Sequence, residues 1–327
     1  MGELLNQRRK ETARRIEQLR TELGDAEKIC GEKACVYAIG SFGRGEANPH
    51  SDLDLFIVGQ GSPDKPVIRG LDEILIKADL IDATRKLGIP DFSGEGEYVK
   101  HYTVKELVDT LGTPEDDVQN TFTARLLLLL ESIPLIGDTA YHQITDEVIA
   151  AYWKDYEQNK NDFMPAFLAN DILRMWRTFC VNYEARTQRE PESLMAKRRL
   201  KNYKLKHSRL LTCYSALLYL LAVLTKNKTV GPADVKHMIS LAPTARLEWL
   251  LTQSHCAKAH QSIQNLITQY EAFLHKTDAP EKELVELFKD KQRRKEHFGS
   301  NYEFGNSVSE VLTIIGNDSL FYRLLVV

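Results

Sequence analysis

At 327 residues the chain is long enough for two domains with cores of their own. Its 43% apolar and 27% charged residues are ordinary for soluble proteins, and a net charge of −3 gives no global reason to bind nucleic acid or a membrane surface, although a local basic groove stays open. Cys30, Cys35, Cys180, Cys213 and Cys256 are odd in number, scattered and without a Cys-x-x-Cys pair, so neither a disulfide framework nor a zinc site is indicated and a reducing cytoplasm is expected.

The first residues, Met1 to Lys10, lack the apolar region of a signal peptide. The longest apolar patches, Leu126 to Leu130 and Ala216 to Leu224, fall short of the roughly 20 residues of a membrane span, so no membrane insertion is expected. Residues 1–29 read as an amphipathic helix with Leu4, Leu5, Ala13, Ile16, Leu19 and Leu23 on its packing stripe. Its basic residues, Arg8, Arg9, Lys10, Arg14 and Arg15, are expected to form a solvated face.

The chain then reads Ala38-Ile39-Gly40-Ser41-Phe42-Gly43-Arg44-Gly45-Glu46, and after a polar turn Ser51-Asp52-Leu53-Asp54-Leu55-Phe56-Ile57-Val58. An apolar run breaks at Gly40-Ser41 and resumes with Asp52 and Asp54 set into its start. Residues two apart in a strand share a face, so these two carboxylates project side by side and call for positive charge between them. Two divalent cations about 4 Å apart meet that demand, the arrangement of in-line phosphoryl and nucleotidyl transfer. Mg²⁺ suits hard carboxylate oxygens, with Mn²⁺ able to substitute. Gly40 lets the backbone approach a ligand closely, Ser41 can hydrogen-bond a phosphate oxygen, Arg44 can add charge, and a helix starting at Ser41 or Phe42 offers free N–H groups to a triphosphate.

Gly-Ser, ten residues, then Asp-Leu-Asp-Leu resembles the signature of the polymerase-beta-like nucleotidyltransferase superfamily. The fuller string looks most like the bacterial branch that includes the uridylyltransferases of nitrogen-signalling proteins. The likeness extends over roughly residues 30–140, through Ala124-Arg125-Leu126 and Glu131-Ser132-Ile133-Pro134. It implies an α+β fold, a small mixed-sheet nucleotidyltransferase domain over residues 30–140, followed by an all-α helical domain over 141–327, with the active site in the cleft between them.

Beyond the signature, Gly59 to Asp64 is a loop and Ile68 to Leu87 a helix, carrying Leu71, Ile74, Leu75, Ala78 and Ile81 at helical spacing. The Tyr-, Val- and Thr-rich end of Asp91 to Val104 reads as a strand. In the resembled fold a later strand supplies a third carboxylate that acts as base or metal ligand. Glu97 is the candidate and Glu95 the next. His101 is expected to be packing or surface. Thr113-Pro114-Glu115-Asp116-Asp117 opens a helix running to Ile133; Asp116 and Asp117 are alternative third carboxylates, though capping charge explains them better.

From Tyr141 onward the pattern is helical. Lys197, Arg198, Arg199, Lys201, Lys204, Lys206 and Arg209 form a basic run without an acid, which wants an anion. In the resembled branch, basic residues of a helical domain close over the nucleotide triphosphate, which makes Lys204 and Arg209 candidate triphosphate ligands; the plain reading is a basic surface, or salt bridges to Asp171 and Glu184. The apolar tail Ser319 to Val327 is expected to dock on its own domain or on a partner subunit. A second reading has Tyr322 or Ser319 present a hydroxyl near the active site.

The expected reaction is attack of an acceptor hydroxyl on the α-phosphorus of an NTP or dNTP with release of pyrophosphate. Asp52, Asp54 and Glu97 would serve two Mg²⁺, and Gly40 and Ser41 would hold the triphosphate. The acceptor, on a protein or on a nucleotide, is not legible. Template-free synthesis of a signal oligonucleotide in phage defence is an alternative. So is a non-catalytic nucleotide-binding regulator or antitoxin-like partner, which has no need of two repelling carboxylates.

Overall fold

The computed structural model describes residues 2–92, 99–187, 194–317 and 319–326. By internal contacts the chain forms two compact units, Glu3–Lys154 and Asp155–Val327.

Unit 1 opens with α1 (Glu3–Glu22) and α2 (Gly24–Cys30), which lead into β1 (Ala34–Ile39). The helical turn α3 (Gly40–Gly43) follows, then β2 (Asp54–Gly59) and a two-residue hairpin, β3 (Gly61–Ser62) with β4 (Lys65–Pro66). Next come α4 (Gly70–Lys86), β5 (His101–Thr103), α5 (Val104–Asp109), α6 (Glu115–Val118), α7 (Thr121–Glu131), β6 (Ile133–Ile136) and α8 (Asp138–Tyr152). The main sheet has the order β5-β2-β1-β6. β1 runs antiparallel to both β2 and β6, whereas β5 is parallel to β2, so the sheet is mixed as expected.

Both faces of the sheet are covered, which is why β1 is apolar at every position and buried throughout. Val36, Ala38, Leu55 and Ile57 pack with Ile16, Leu19, Ala26, Ile76 and Leu80 of α1, α2 and α4. On the other face Tyr37 meets Phe56 at 5.8 Å between ring centroids, Phe56 meets Tyr102 at 5.9 Å, and Tyr37 Oη donates to the Ala124 carbonyl at 3.0 Å.

Several elements of unit 1 depart from the sequence expectation: the helix expected over residues 1–29 is two, and the loop expected over Gly59 to Asp64 holds the end of β2 and strand β3. In α4 the buried residues are Ile76, Leu80, Ala83 and Thr84, while Leu71 and Ile74 are 73% and 62% exposed. This helix carries apolar residues on two sides, and periodicity does not say which side meets the sheet. The expected helix from Thr113 to Ile133 is two helices, parted at Asn120, whose φ of 60° breaks the winding. Asp116 is no solvated capping charge. It is fully buried and accepts from Arg125 Nη1 and Nη2 at 2.9 and 2.6 Å, while Thr121 Oγ1 donates to it at 2.9 Å. A carboxylate so engaged braces α6 against α7; Asp117 is exposed.

Unit 2 is helical, with α9 (Ala166–Thr187), α10 (Met195–Lys204), a π turn (Leu205–Arg209), α11 (Leu210–Asn227), α12 (Pro232–Ser240) and α13 (Pro243–Leu251). It continues with α14 (His260–Lys276), α15 (Glu281–Lys289), α16 (Lys291–Gly316) and α17 (Leu320–Val326). Pro243 parts α12 from α13, and Asp290 parts α15 from α16 by accepting the Arg293 N–H at 2.7 Å as an N-cap. Met195–Asn227 is long and apolar enough to cross a membrane, but 72% of its most apolar window is buried inside the protein, as in a core helix. The apolar tail folds back within its own unit: Phe321 and Leu325 are buried, and Tyr322 Oη shares a hydrogen bond with Thr313 Oγ1 at 3.0 Å.

The π turn buries His207. Its ring stacks on Phe273 at 4.5 Å and 3° and on Phe304 at 5.0 Å and 30°, and its Nδ1 donates to the Tyr203 carbonyl at 3.1 Å. Burial pushes its pKa down to about 4 against a hydrogen bond that acts the other way. The unfolded chain therefore binds a proton that the folded one refuses. Stability contributed by this site is complete above about pH 6.5 and is lost as the pH falls toward 4, by about 3 kcal/mol in all. Denaturant titrations of wild type and His207→Phe across that window check this: the variant is expected to show the shallower dependence on pH.

Candidate active site

At the end of β1 the backbone reverses at Gly40, whose φ of 65° belongs to the left-handed region. The register pairs Ile39 with Asp54, so the first residue of the turn meets the first residue of β2. A Cβ on Gly40 would stand 3.0 Å from Asp54 Oδ2. Glycine suits both the dihedral and the close approach of the Asp54 carboxylate.

β2 begins at Asp54, and Asp52 and Leu53 lead into it rather than lying within it. The alternation nevertheless holds across that boundary. Leu53, Leu55 and Ile57 enter the apolar cluster, which leaves Asp52 and Asp54 on the opposite face with Phe56, both half-buried. Ser41, in the turn that Gly40 opens, is also half-buried.

Arg44 sits differently from its expected place beside a phosphate. It is buried, its Nε donates to Glu46 Oε2 at 2.9 Å, and its Nη1 donates to Glu131 Oε2 at 3.1 Å. Glu131 also accepts the Gly40 N–H through Oε1 at 3.1 Å, so the turn is tied to the end of α7. Gly43 completes the fit: a Cβ there would lie 1.9 Å from the Glu131 carbonyl oxygen.

The basic residues of α1 do not form one solvated face. Lys10 and Arg14 are exposed, but Arg15 is buried, donates through Nη1 to the Asn48 carbonyl at 2.6 Å and lies 4.7 Å from the Phe42 ring centroid. Thr12 Oγ1 accepts the Ala47 N–H at 2.9 Å. The first helix thus holds the far limb of the loop between β1 and β2. Sequence reading missed this because side-chain bonds to a distant loop leave no periodic signal.

Glu97 and Glu95, the candidates for a third carboxylate, lie outside the described residues. Among the described residues no group of three or more His, Cys, Asp and Glu side chains is placed to hold a metal ion. Asp52 and Asp54 supply hard oxygen donors of the kind Mg²⁺ takes together with substrate phosphates, and to that extent the residues fit the ion. His101 packs against Gly59, where an added Cβ would lie 2.9 Å from its Nε2; that atom is buried without a hydrogen-bond partner among the described residues. Burial lowers its pKa.

In unit 2, Lys204 ends α10 and its carbonyl accepts from Ser208 Oγ at 2.8 Å. The Arg209 guanidinium lies over the Phe179 ring at 5.4 Å. Lys197 pairs at 2.6 Å with Glu281 of α15, an acid that the sequence does not single out. Burial raises the Glu281 pKa, but the hydrogen bond from Lys197 and the charges of Lys201 and Lys204 outweigh it and leave the carboxyl below its usual range.

Since a Cβ at Gly43 meets backbone rather than a flexible side chain, Gly43→Ala is expected to destabilise the full chain by about 2 kcal/mol or more. Thermal unfolding against wild type measures this, with Gly24→Ala, where a Cβ meets nothing within 4 Å, as the neutral comparison.

No curated protein and no solved structure matches the chain. A family model does: residues 16–121, from the middle of α1 to the start of α7, match the one described as nucleotidyltransferase domain. With the Gly40-Ser41 turn and the Asp52/Asp54 pair inside that span, unit 1 carries a nucleotidyltransferase domain, consistent with the polymerase-beta-like superfamily.

Proposed function

We propose that the chain is a metal-dependent nucleotidyltransferase, moving a nucleoside monophosphate from an NTP or dNTP to an acceptor hydroxyl with release of pyrophosphate. The observation that carries this is the half-buried Asp54 carboxylate against Gly40, with the half-buried Asp52 two residues ahead of it in the segment that leads into β2. In this reading Asp52 and Asp54 hold two Mg²⁺, for which Mn²⁺ can substitute, and Glu97, in the residues leading into β5, is the third carboxylate. Asp116 is set aside because Arg125 engages both its oxygens.

The ions supply charge neutralisation along the triphosphate and lower the pKa of the attacking hydroxyl. The chain's own residues position. Gly40 leaves the space that a side chain would fill, and the Ser41 hydroxyl donates to a phosphate oxygen. Arg44 is left out of the phosphate ligands because its guanidinium is engaged by Glu46 and Glu131. The basic run around Lys204 and Arg209 is an anion-binding element of unit 2. Positioning and electrostatic neutralisation carry most of the rate. The apolar residues left exposed on α17, Leu320 and Val326, are a contact for a partner subunit.

Incubating the chain with each labelled NTP and dNTP in Mg²⁺ or Mn²⁺ tests the proposal, with pyrophosphate release and intact mass as readouts. Asp52→Asn with Asp54→Asn is expected to cut turnover by about a thousandfold or more while the melting curve stays that of a folded protein. A double variant that turns over at the wild-type rate would sink the reading. Label on a protein marks a protein acceptor, as in the uridylyltransferase branch, and a ladder of free oligomers marks synthesis of a signal nucleotide. Nucleotide binding with no pyrophosphate, with or without cell lysate, marks a regulator.

A further inference from the structure

Glu131 is an unexpected residue to find buried where it is. It closes α7 after Leu126, Leu127, Leu128, Leu129 and Leu130, its side chain has 0% exposure, and it sits at a helix C-terminus, where the macrodipole disfavours negative charge. A sixth apolar residue would suit both the burial and the helix. A carboxylate kept against two such costs points to work done by its oxygens.

Those oxygens reach the two ends of one turn. Oε1 accepts the N–H of Gly40, the first residue of α3, and Oε2 accepts from the guanidinium of Arg44, the residue that caps it. The Glu131 backbone carbonyl closes on Gly43 between them. The turn is thereby spanned from first residue to cap by one residue of α7. The residues it spans include Ser41, and its first residue lies against Asp54. Arg44, held on its other side by Glu46, transmits the restraint into the following loop, whose far limb is fixed by Thr12 and Arg15.

We infer that Glu131 is a positioning residue: acting through the Gly40 N–H and Arg44, it holds the Gly40–Arg44 turn in the conformation that sets Ser41 and a bound triphosphate beside Asp54. The functional part of this rests on the nucleotidyl-transfer reading. The restraint on the turn does not.

Glu131→Gln separates the two. The amide keeps an acceptor for the Gly40 N–H and the same volume but loses the charge that holds Arg44. The expected result in the full chain is amide exchange about tenfold faster in peptides covering 40–46, with peptides of β1 and β2 protected as in wild type. In turnover with NTP and Mg²⁺, kcat is expected to fall about tenfold or more with a smaller change in KM, because binding the triphosphate and placing it are separate demands. Glu131→Asp, too short to reach both partners, is expected to behave like Glu131→Gln, which a purely electrostatic role would not produce. Unchanged exchange in 40–46 overturns the inference whatever the activity. So does faster exchange with kcat held at the wild-type value. If the wild-type chain turns over no nucleotide, the nucleotidyl-transfer reading fails on its own account, and the exchange readout still decides whether Glu131 holds the turn.

Discussion

The pairing of β1 with β2 is the constraint from which the site follows. Opposing Ile39 to Asp54 means that the first residue after β1 and the first residue of β2 occupy the same small space. A side chain there would crowd the Asp54 carboxylate, and the chain must also reverse direction, so glycine at a positive φ suits both demands. A shift of one residue would turn Asp52 and Asp54 into the apolar cluster and send Leu53 and Leu55 outward, at a cost that the burial of those leucines makes prohibitive. The hydrophobic pattern of the strand therefore fixes where its carboxylates point.

Around that pairing the protein spends its buried charges on bracing. Glu46, Arg44 and Glu131 form one cluster and Asp116 with Arg125 another, and in the second both side chains are fully buried. Such groups contribute little net stability over apolar residues of the same size, but removing one partner is strongly destabilising. Their use is geometric. The first cluster ties the signature turn to the end of α7, and the second fixes α6 to α7, so α7 is the rigid member against which the turn is set. α1 does the same from the other side, since Thr12 and Arg15 bond to loop carbonyl and amide groups that would otherwise need water.

Unit 2 is arranged around one helical stretch, Met195–Asn227, interrupted by a π turn. The widened turn places His207 among Tyr203, Phe273 and Phe304, an aromatic environment that suits the neutral imidazole and excludes the charged one. The same stretch carries the basic run outward on α10, where Glu281 of α15 already answers part of its charge. One continuous piece of backbone thus serves as an apolar core element at one end and carries a basic surface at the other.

The signature that matches the nucleotidyltransferase domain model was legible from spacing alone, because Gly-Ser, the polar spacer and Asp-x-Asp are local. The α+β class and the helical second half were legible for the same reason, as periodicity reports local structure. What the sequence could not decide were pairings between distant residues. Arg44 looks like a phosphate ligand until Glu131, far along the chain, is brought to its guanidinium, and Asp116 looks like a helix cap until Arg125 is seen to claim both its oxygens. Arg15 reads as a solvated charge until Asn48 and Phe42 fold over it. α4 offers two apolar faces and only the sheet chooses between them. Sequence by itself determined the order and type of most elements and the local signature that they carry; tertiary structure decided which charges are paired inside, because an ion pair is a property of distance, and distance between remote residues is set only when the chain has folded.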